Sequence, residues 1–340
     1  MKKLLLIGPL SNKHDASKSG GTVVLFELLL SELKENNIKF DVIDTLKENY
    51  YNSFFALISI NFKLLKQIKN YELVSLHATA NSLIIIGPIM TLLSKIFNRR
   101  TSIRKFAGNF HEIYQNSNKI KQRLIEYTLR NSSSNFFETK YLVEYFSKFN
   151  EHTYWFPNVR RIEIEPQLPK PYKKRFIYVG SIIKEKGIDE IIQVSNNLDK
   201  SYLIDMYGSI IDKKYNEDYF KKQNINYKGP LIPSDVLNIM NKYDVLLLPS
   251  YREGYPGVII EAFSLGIPCI VTKLQGVMEM IEDKKNGLIV NVKSIKELEK
   301  AIKYIDEEKY IKLSINALES FKYFDSQVQT SLFLKRISNR

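Results

Sequence analysis

Two carboxylates eight positions apart, Glu253 and Glu261, bracket a turn rich in glycine and proline in the stretch EGYPGVIIEAFSLGIPCIVT, residues 253–272. The spacing alone says little, because Glu27/Glu35 and Glu299/Glu307 repeat it on ordinary amphipathic patterns. The surroundings say more. The apolar run DVLLLPS ends in a polar loop, Pro256-Gly257 opens a helical pattern, and Gly266-Ile267-Pro268 closes it before the next apolar run. A helix N-terminus carries unpaired N–H groups and partial positive charge, so it suits an anion. Glycines at 254 and 257 let backbone approach a phosphate or sugar closely. Glu261, one turn inside, leans back toward that N-terminus, and its two oxygens can accept both hydroxyls of a vicinal diol such as a ribose. Glu253, in the loop, is expected to face the ligand. In the plainer reading Glu253 caps the helix and Glu261 is merely solvated.

The elements that must hold these groups alternate along nearly the whole chain. Apolar runs KLLLIG, FDVID, LVSLH, SIRKF, SNFFET and TYWFP are separated by helical patterns. The helix over 22–36 repeats Val23, Phe26, Leu29, Leu30 and Leu33 on one face. The segment 161–174 is rich in proline and charge without periodicity and reads as a linker. Alternation resumes at RFIYVG and continues through YLIDMYG, INYKG, DVLLLPS and PCIVT. Near the end, Asp325 is a plausible N-cap for a helix carrying Val328, Leu332, Phe333 and Ile337. This is the pattern of an α/β chain with two doubly wound parallel-sheet domains, 1–160 and 175–322, and a last helix, 323–340, packing back on the first. A length of 340 residues also exceeds what one core usually holds. Such sheets bind ligands outside strand C-termini, so the site is expected in a cleft facing both domains.

In these motifs the chain resembles retaining glycosyltransferases of the GT-B fold, family 4, which take a sugar from a nucleotide-diphosphate donor. EGYPGVIIEAFSLGIPCIVT resembles their signature helix. FIYVGSIIKEKGIDEII, YLIDMYGS and INYKGPL resemble successive strand-loop units of the donor domain. SGGTVVLFELLLSELKENN resembles the glycine-rich loop and first helix of the acceptor domain, and WFPN the segment before the hinge. The resemblance implies that Glu261 holds the donor ribose and Glu253 lies near the transferred sugar. Gly254, Tyr255, Pro256, Gly257 and Val258 would line sugar and phosphates. Lys186 would neutralise the diphosphate, with Gly180 and Ser181 beside it. Gly229, Pro230 and Leu231 would flank the base. On the acceptor and diphosphate side it implies Gly20, Gly21, His77 and Asn109, with His111 as a further catalytic candidate. No metal or cofactor is implied beyond the nucleotide sugar, expected to carry UDP or GDP. Retention could follow a front-face path or a double displacement using Glu253.

Two departures stand out. Where the family often has arginine after the first donor-domain glycine this chain has Ser181, with Lys184 the nearest substitute cation. Where many members carry a His-Gly pair, RKFAGNFHEIY has Gly108 preceded by alanine, with His111 three residues on. These departures leave two alternatives: a weakly active or inactive nucleotide-sugar or glycan-binding protein, or an epimerase or phosphorylase of the same fold.

Composition bounds the rest. Cys269 is the sole cysteine and the four histidines are scattered, which excludes an internal disulfide and zinc spacing. The run over 82–97 is broken by Gly87-Pro88 and Lys95, so no membrane span is expected. Fifty Lys+Arg against 37 Asp+Glu give a net charge of +13. Lys95, Arg99, Arg100, Arg104 and Lys105 cluster after the apolar run, which suits an anionic membrane surface better than nucleic acid. The expectation is a cytoplasmic enzyme in peripheral contact with the inner membrane face, acting on a glycan or lipid-linked glycan.

Overall fold

The computed structural model describes residues 3–13, 20–166 and 168–338; His14 and Ser19 lie outside them. The chain forms two compact units, Met1–Val159 with Ser326–Arg340, and Arg160–Asp325.

The first unit runs β1 (Leu4–Gly8), α1 (Gly21–Glu35), β2 (Phe40–Asp44), α2 (Ser53–Gln67), β3 (Leu73–Ala78), α3 (Ala80–Ile96), β4 (Arg100–Lys105), α4 (Phe110–Gln115), α5 (Lys119–Asn131), β5 (Ser134–Phe137), α6 (Lys140–Ser147) and β6 (Thr153–Trp155). Its strands pair in parallel in the order β2-β1-β3-β4-β5-β6. The sheet is covered on both faces, and β1, β3 and β5 are buried along their entire length. One core lies under α2, α3 and α5, around Ile60, Leu64, Met90 and Leu129. The other lies under α1, around Phe26, Leu29 and Phe136. Each such side chain contributes about 1.5–3 kcal/mol on burial.

The second unit runs β7 (Arg175–Val179), α7 (Ile188–Asn197), β8 (Leu203–Tyr207), α8 (Glu217–Lys221), β9 (Asn226–Tyr227), α9 (Val236–Met240), β10 (Val245–Leu248), α10 (Gly257–Ser264), β11 (Cys269–Thr272), α11 (Gln275–Met278), β12 (Gly287–Val290), α12 (Ile295–Tyr304) and α13 (Glu307–Phe321). The parallel order β12-β11-β10-β7-β8-β9 reverses direction between β7 and β10, where loops after the two strands diverge and leave a crevice.

The final helix, α14 (Ser326–Ser338), returns to the first unit and packs on α1. Phe333 and Ile337 enter the α1 core, and Ser326 Oγ donates to Glu32 Oε1 at 2.5 Å. The expected apolar face is only half right: Val328 and Leu332 are exposed, and Gln329 and Thr330 take the buried stripe instead. The segment read as a linker is docked on the second unit. Backbone N–H groups of Lys173 and Arg175 both donate to the Asp244 carboxylate at 2.9 Å, and Tyr172 stacks on Tyr310. One buried carboxylate supplies acceptors that an unpatterned stretch cannot supply for itself.

Candidate functional site

The reversal of strand order in the second unit places two loops side by side. One leaves β7 and makes a 3-10 turn, Lys184–Lys186, before α7; the other leaves β10 and leads to α10. The Tyr251 N–H donates to the Glu185 carbonyl at 2.8 Å, which ties the loops together. Gly187 makes that approach possible: its φ is +75°, and a Cβ there would lie 2.2 Å from the Pro249 carbonyl oxygen. Lys186 Nζ then meets Glu253 Oε1 at 2.6 Å, and Ser250 Oγ donates to the same oxygen at 2.7 Å. The two residues are 67 positions apart and mostly buried. Glu253 makes no cap on α10, whose N-cap position is Pro256 without a side-chain hydrogen bond.

Glu261 is not simply solvated either. Its Oε1 accepts from Arg160 Nε at 2.7 Å. The same guanidinium lies against the first turn of α10, where a Cβ on Gly257 would stand 2.3 Å from Arg160 Nη2. The sequence reading passed over Arg160. Its only signal is position, two residues beyond the Pro157-Asn158 pair. Tyr255 is buried and faces Phe324, while Gly254 and Val258 remain partly open. Gly180 and Ser181 follow β7 directly, and the Ser181 carbonyl accepts from the Tyr178 hydroxyl at 2.8 Å. Lys184 is exposed on the turn before Lys186. Gly229, with φ +83°, accepts from the Gly208 N–H at 2.9 Å, tethering the loop of Pro230 and Leu231 to the end of β8. A recess of about 510 Å³ lies beside that loop, lined by Phe220, Lys221, Tyr227, Lys228 and Gly229; it does not reach Glu253 or Glu261.

Chemically, two carboxylates and two cations form two neutral pairs around one helix N-terminus. A diol or sugar hydroxyl can replace a cation on each carboxylate, which leaves each cation free to pair with an anion instead.

Residues 159–324 match the family of glycosyl transferases group 1. The second unit is a glycosyl transferases group 1 domain. The chain is 32% identical over 158 residues to the capsular polysaccharide biosynthesis glycosyltransferase CapM of Staphylococcus aureus, covering 43% of this chain and 41% of that protein. It is 30% identical over 125 residues to the UDP-Gal:alpha-D-GlcNAc-diphosphoundecaprenol alpha-1,3-galactosyltransferase of Escherichia coli, covering 35% and 32%. The matches thus span under half the length of these curated relatives. Along its whole length the chain follows the fold of Anabaena Alr3699/HepE, solved in complex with UDP, with a TM-score of 0.74 at 17% identity and 100% coverage of both chains. That likeness, with the two parallel six-stranded sheets, shows the GT-B fold.

Outside the group 1 domain, the expected acceptor-side residues follow or end β1, β3 and β4, neighbours in the first sheet. Gly20 and Gly21 stand at the exposed start of α1 with open space where side chains would be. Asn109 precedes α4 without capping it by its side chain. His111, on α4, packs edge-on against Tyr141 at 4.8 Å and near Tyr145. His77, which the sequence leaves as either an acceptor-side or a buried structural histidine, stands in the core. It is fully buried among Phe26, Phe106 and Phe333, with Nε2 3.1 Å from Ser75 Oγ. Burial, and secondarily the charge of Arg104, hold its pKa well below the usual histidine range.

The basic cluster also needs correction. Arg104 and Lys105 end a strand covered on both faces, so both are buried. Arg104 lies 3.6 Å from the Phe156 ring centroid, and Lys105 sits over Phe110. Burial pulls the Lys105 ammonium down and pushes the buried Glu138 carboxyl up, while their mutual attraction works against both shifts. These charges serve the interior of the first unit rather than a surface.

Proposed function

We propose that the protein is a retaining, metal-independent glycosyltransferase that moves a sugar from a nucleotide-diphosphate donor, UDP- or GDP-linked, to a glycan or lipid-linked glycan during cell-surface polysaccharide synthesis. The observation that carries this reading is the Lys186–Glu253 pair at the reversal of strand order, with Glu261 one turn into the adjoining helix. The relatives named above support it by their printed activities, capsular polysaccharide synthesis and galactosyl transfer to a diphosphoundecaprenol-linked sugar.

In this reading the ribose diol donates to Glu261, and sugar hydroxyls donate to Glu253. Arg160 and Lys186 are thereby released toward the diphosphate. Negative charge grows on the leaving phosphate as the glycosidic bond breaks, and a cation with a helix N-terminus stabilises it. Arg160 supplies the charge absent at Ser181. The leaving phosphate helps deprotonate the acceptor on the same face. The protein works in the cytoplasm, in peripheral contact with the membrane that carries its acceptor.

A thermal-shift panel of UDP, GDP, ADP and dTDP on wild type and Glu261→Ala tests the donor site. Stabilisation by one nucleotide, lost in the variant, is expected. No stabilisation by any of the four would sink the donor reading. Acceptor dependence of nucleotide release separates transfer from phosphorolysis or epimerisation.

A further inference from the structure

Helices α2 and α3 both cover the face of the first sheet that α1 and α14 leave, and they pack beside one another. Each already buries one apolar stripe against the sheet: Ala56, Ile60 and Leu64 on α2, and Leu83, Ile86 and Met90 on α3. A surface helix ordinarily carries polar residues on its remaining side. These carry a second apolar stripe. On α2 it is Phe54, Phe55, Ile58, Phe62 and Leu65, with Phe54 67% and Phe62 65% exposed. On α3 it is Ile85, Ile89, Leu92 and Ile96. Scattered exposed apolar side chains need no explanation, but nine at helical spacing on two helices packed side by side are the kind of surface that marks an interaction site.

The charge around the patch selects the partner. Residues 53–70 and 80–99 contain Lys63, Lys66, Lys69, Lys95 and Arg99 and no Asp or Glu. Arg99 Nη2 donates to the Lys69 carbonyl at 2.9 Å, so the basic C-terminal ends of the two helices lie together. Large aromatic and aliphatic side chains on helices whose charged residues are all cations match a lipid interface with anionic headgroups, where the apolar groups sink below the phosphates and the lysines meet them. Among the described residues no helix is long and apolar enough to cross a membrane, so the contact lies in the plane of the surface.

We infer that the outer face of α2 and α3 docks on an anionic lipid bilayer. The face names the partner surface for the membrane contact proposed above. It rests on its own apolar and charge pattern, independent of the donor site.

The test is co-sedimentation of the full chain, without nucleotide or sugar, with vesicles of phosphatidylcholine alone or mixed equally with phosphatidylglycerol. Wild type is expected to pellet with the mixed vesicles and far less with neutral ones. Phe54→Ser/Phe62→Ser and, separately, Lys63→Glu/Lys66→Glu should each lower the partition coefficient about tenfold or more with the melting temperature unchanged. Wild type left in the supernatant, equal partition into both vesicles, or variants that bind like wild type would overturn the inference. So would a lipid-indifferent dimer that the phenylalanine variant dissociates, which would make the face a contact between copies. Because the assay uses no donor, it can fail while the glycosyltransferase reading stands, and the reverse.

Discussion

Arg160 and Glu261 stand 101 residues apart in sequence and 2.7 Å apart in space, joined Nε to Oε1. Arg160 is also the residue where the second unit begins. Its backbone N–H donates to the Phe324 carbonyl at 3.0 Å, and it bridges in parallel to Asp325. The guanidinium that steadies Glu261 is thus anchored where the two ends of the unit meet.

Replacing Arg160 with Gln should weaken nucleoside diphosphate binding about tenfold or more, the usual worth of a charge-assisted hydrogen bond. The corresponding nucleoside should bind unchanged or slightly better, since Glu261 loses a competitor for the ribose. Calorimetric titration with UDP against uridine, or GDP against guanosine, checks this. Equal losses for both ligands would show that Arg160 only positions Glu261.

Glu261→Ala should act mainly on nucleotide affinity, whereas Glu253→Ala should lower kcat more than affinity, by about 10²-fold or more. Steady-state kinetics beside direct binding separates the two. Loss of affinity alone in both variants would contradict the assigned roles.

Lys186→Met should lower kcat by about 10²–10³-fold, the range for removing one preorganised donor from a developing anion. Gly187→Ala reaches the same lysine through the backbone. An L residue at φ +75° facing the Pro249 carbonyl must move the loop, so both melting temperature and activity should fall. A Gly187→Ala variant with wild-type stability would mean the loop relaxes freely.

His77 carries a pH signature. Its folded pKa lies below its ordinary value because burial opposes the charged form. Its contribution is therefore fully present above about pH 6.5, the unfolded value, and is lost as pH falls toward the folded one. The slope approaches about 1.4 kcal/mol per pH unit. Glu138 runs the other way. Burial raises its carboxyl to about 7, so folding favours its protonated form as pH falls from there toward the unfolded value. Urea midpoints of wild type and His77→Leu between pH 7.5 and 5 isolate the histidine term. The variant should lose less stability, or gain more, as pH falls. Parallel curves would mean that His77 gains a proton in the folded state as readily as in the unfolded one.

The local elements were legible because their signals are local. KLLLIG, LVSLH and DVLLLPS are runs whose apolar content forces burial on both sides, and each falls on a parallel strand, β1, β3 or β10. Gly-Ile-Pro closes α10 as expected, because neither glycine at φ +66° nor proline continues a helix. The pairing of Glu253 with Glu261 on one loop and helix start follows from the same short-range grammar. Periodicity also failed locally: the face drawn for α14 was rotated, since Gln329 and Thr330 pack where Val328 and Leu332 were expected.

What a side chain meets across space is another matter, because it depends on which elements the sheet order brings together. Lys186 reaches Glu253 only because β7 and β10 are neighbours, and Arg160 reaches Glu261 only because the unit closes on itself. Arg104 and Lys105 read as surface groups, yet a sheet covered on both faces buries them, and the same packing decides for His77 between a ligand-facing and a core role. Conversely, Phe54 and Phe62 are apolar yet exposed, because α2 has a single side against the sheet and Ile60 and Leu64 already fill it. Composition and spacing carry the elements and the chemistry they could hold; packing fixes which charges pair, which are desolvated, and which apolar faces are left to meet something else.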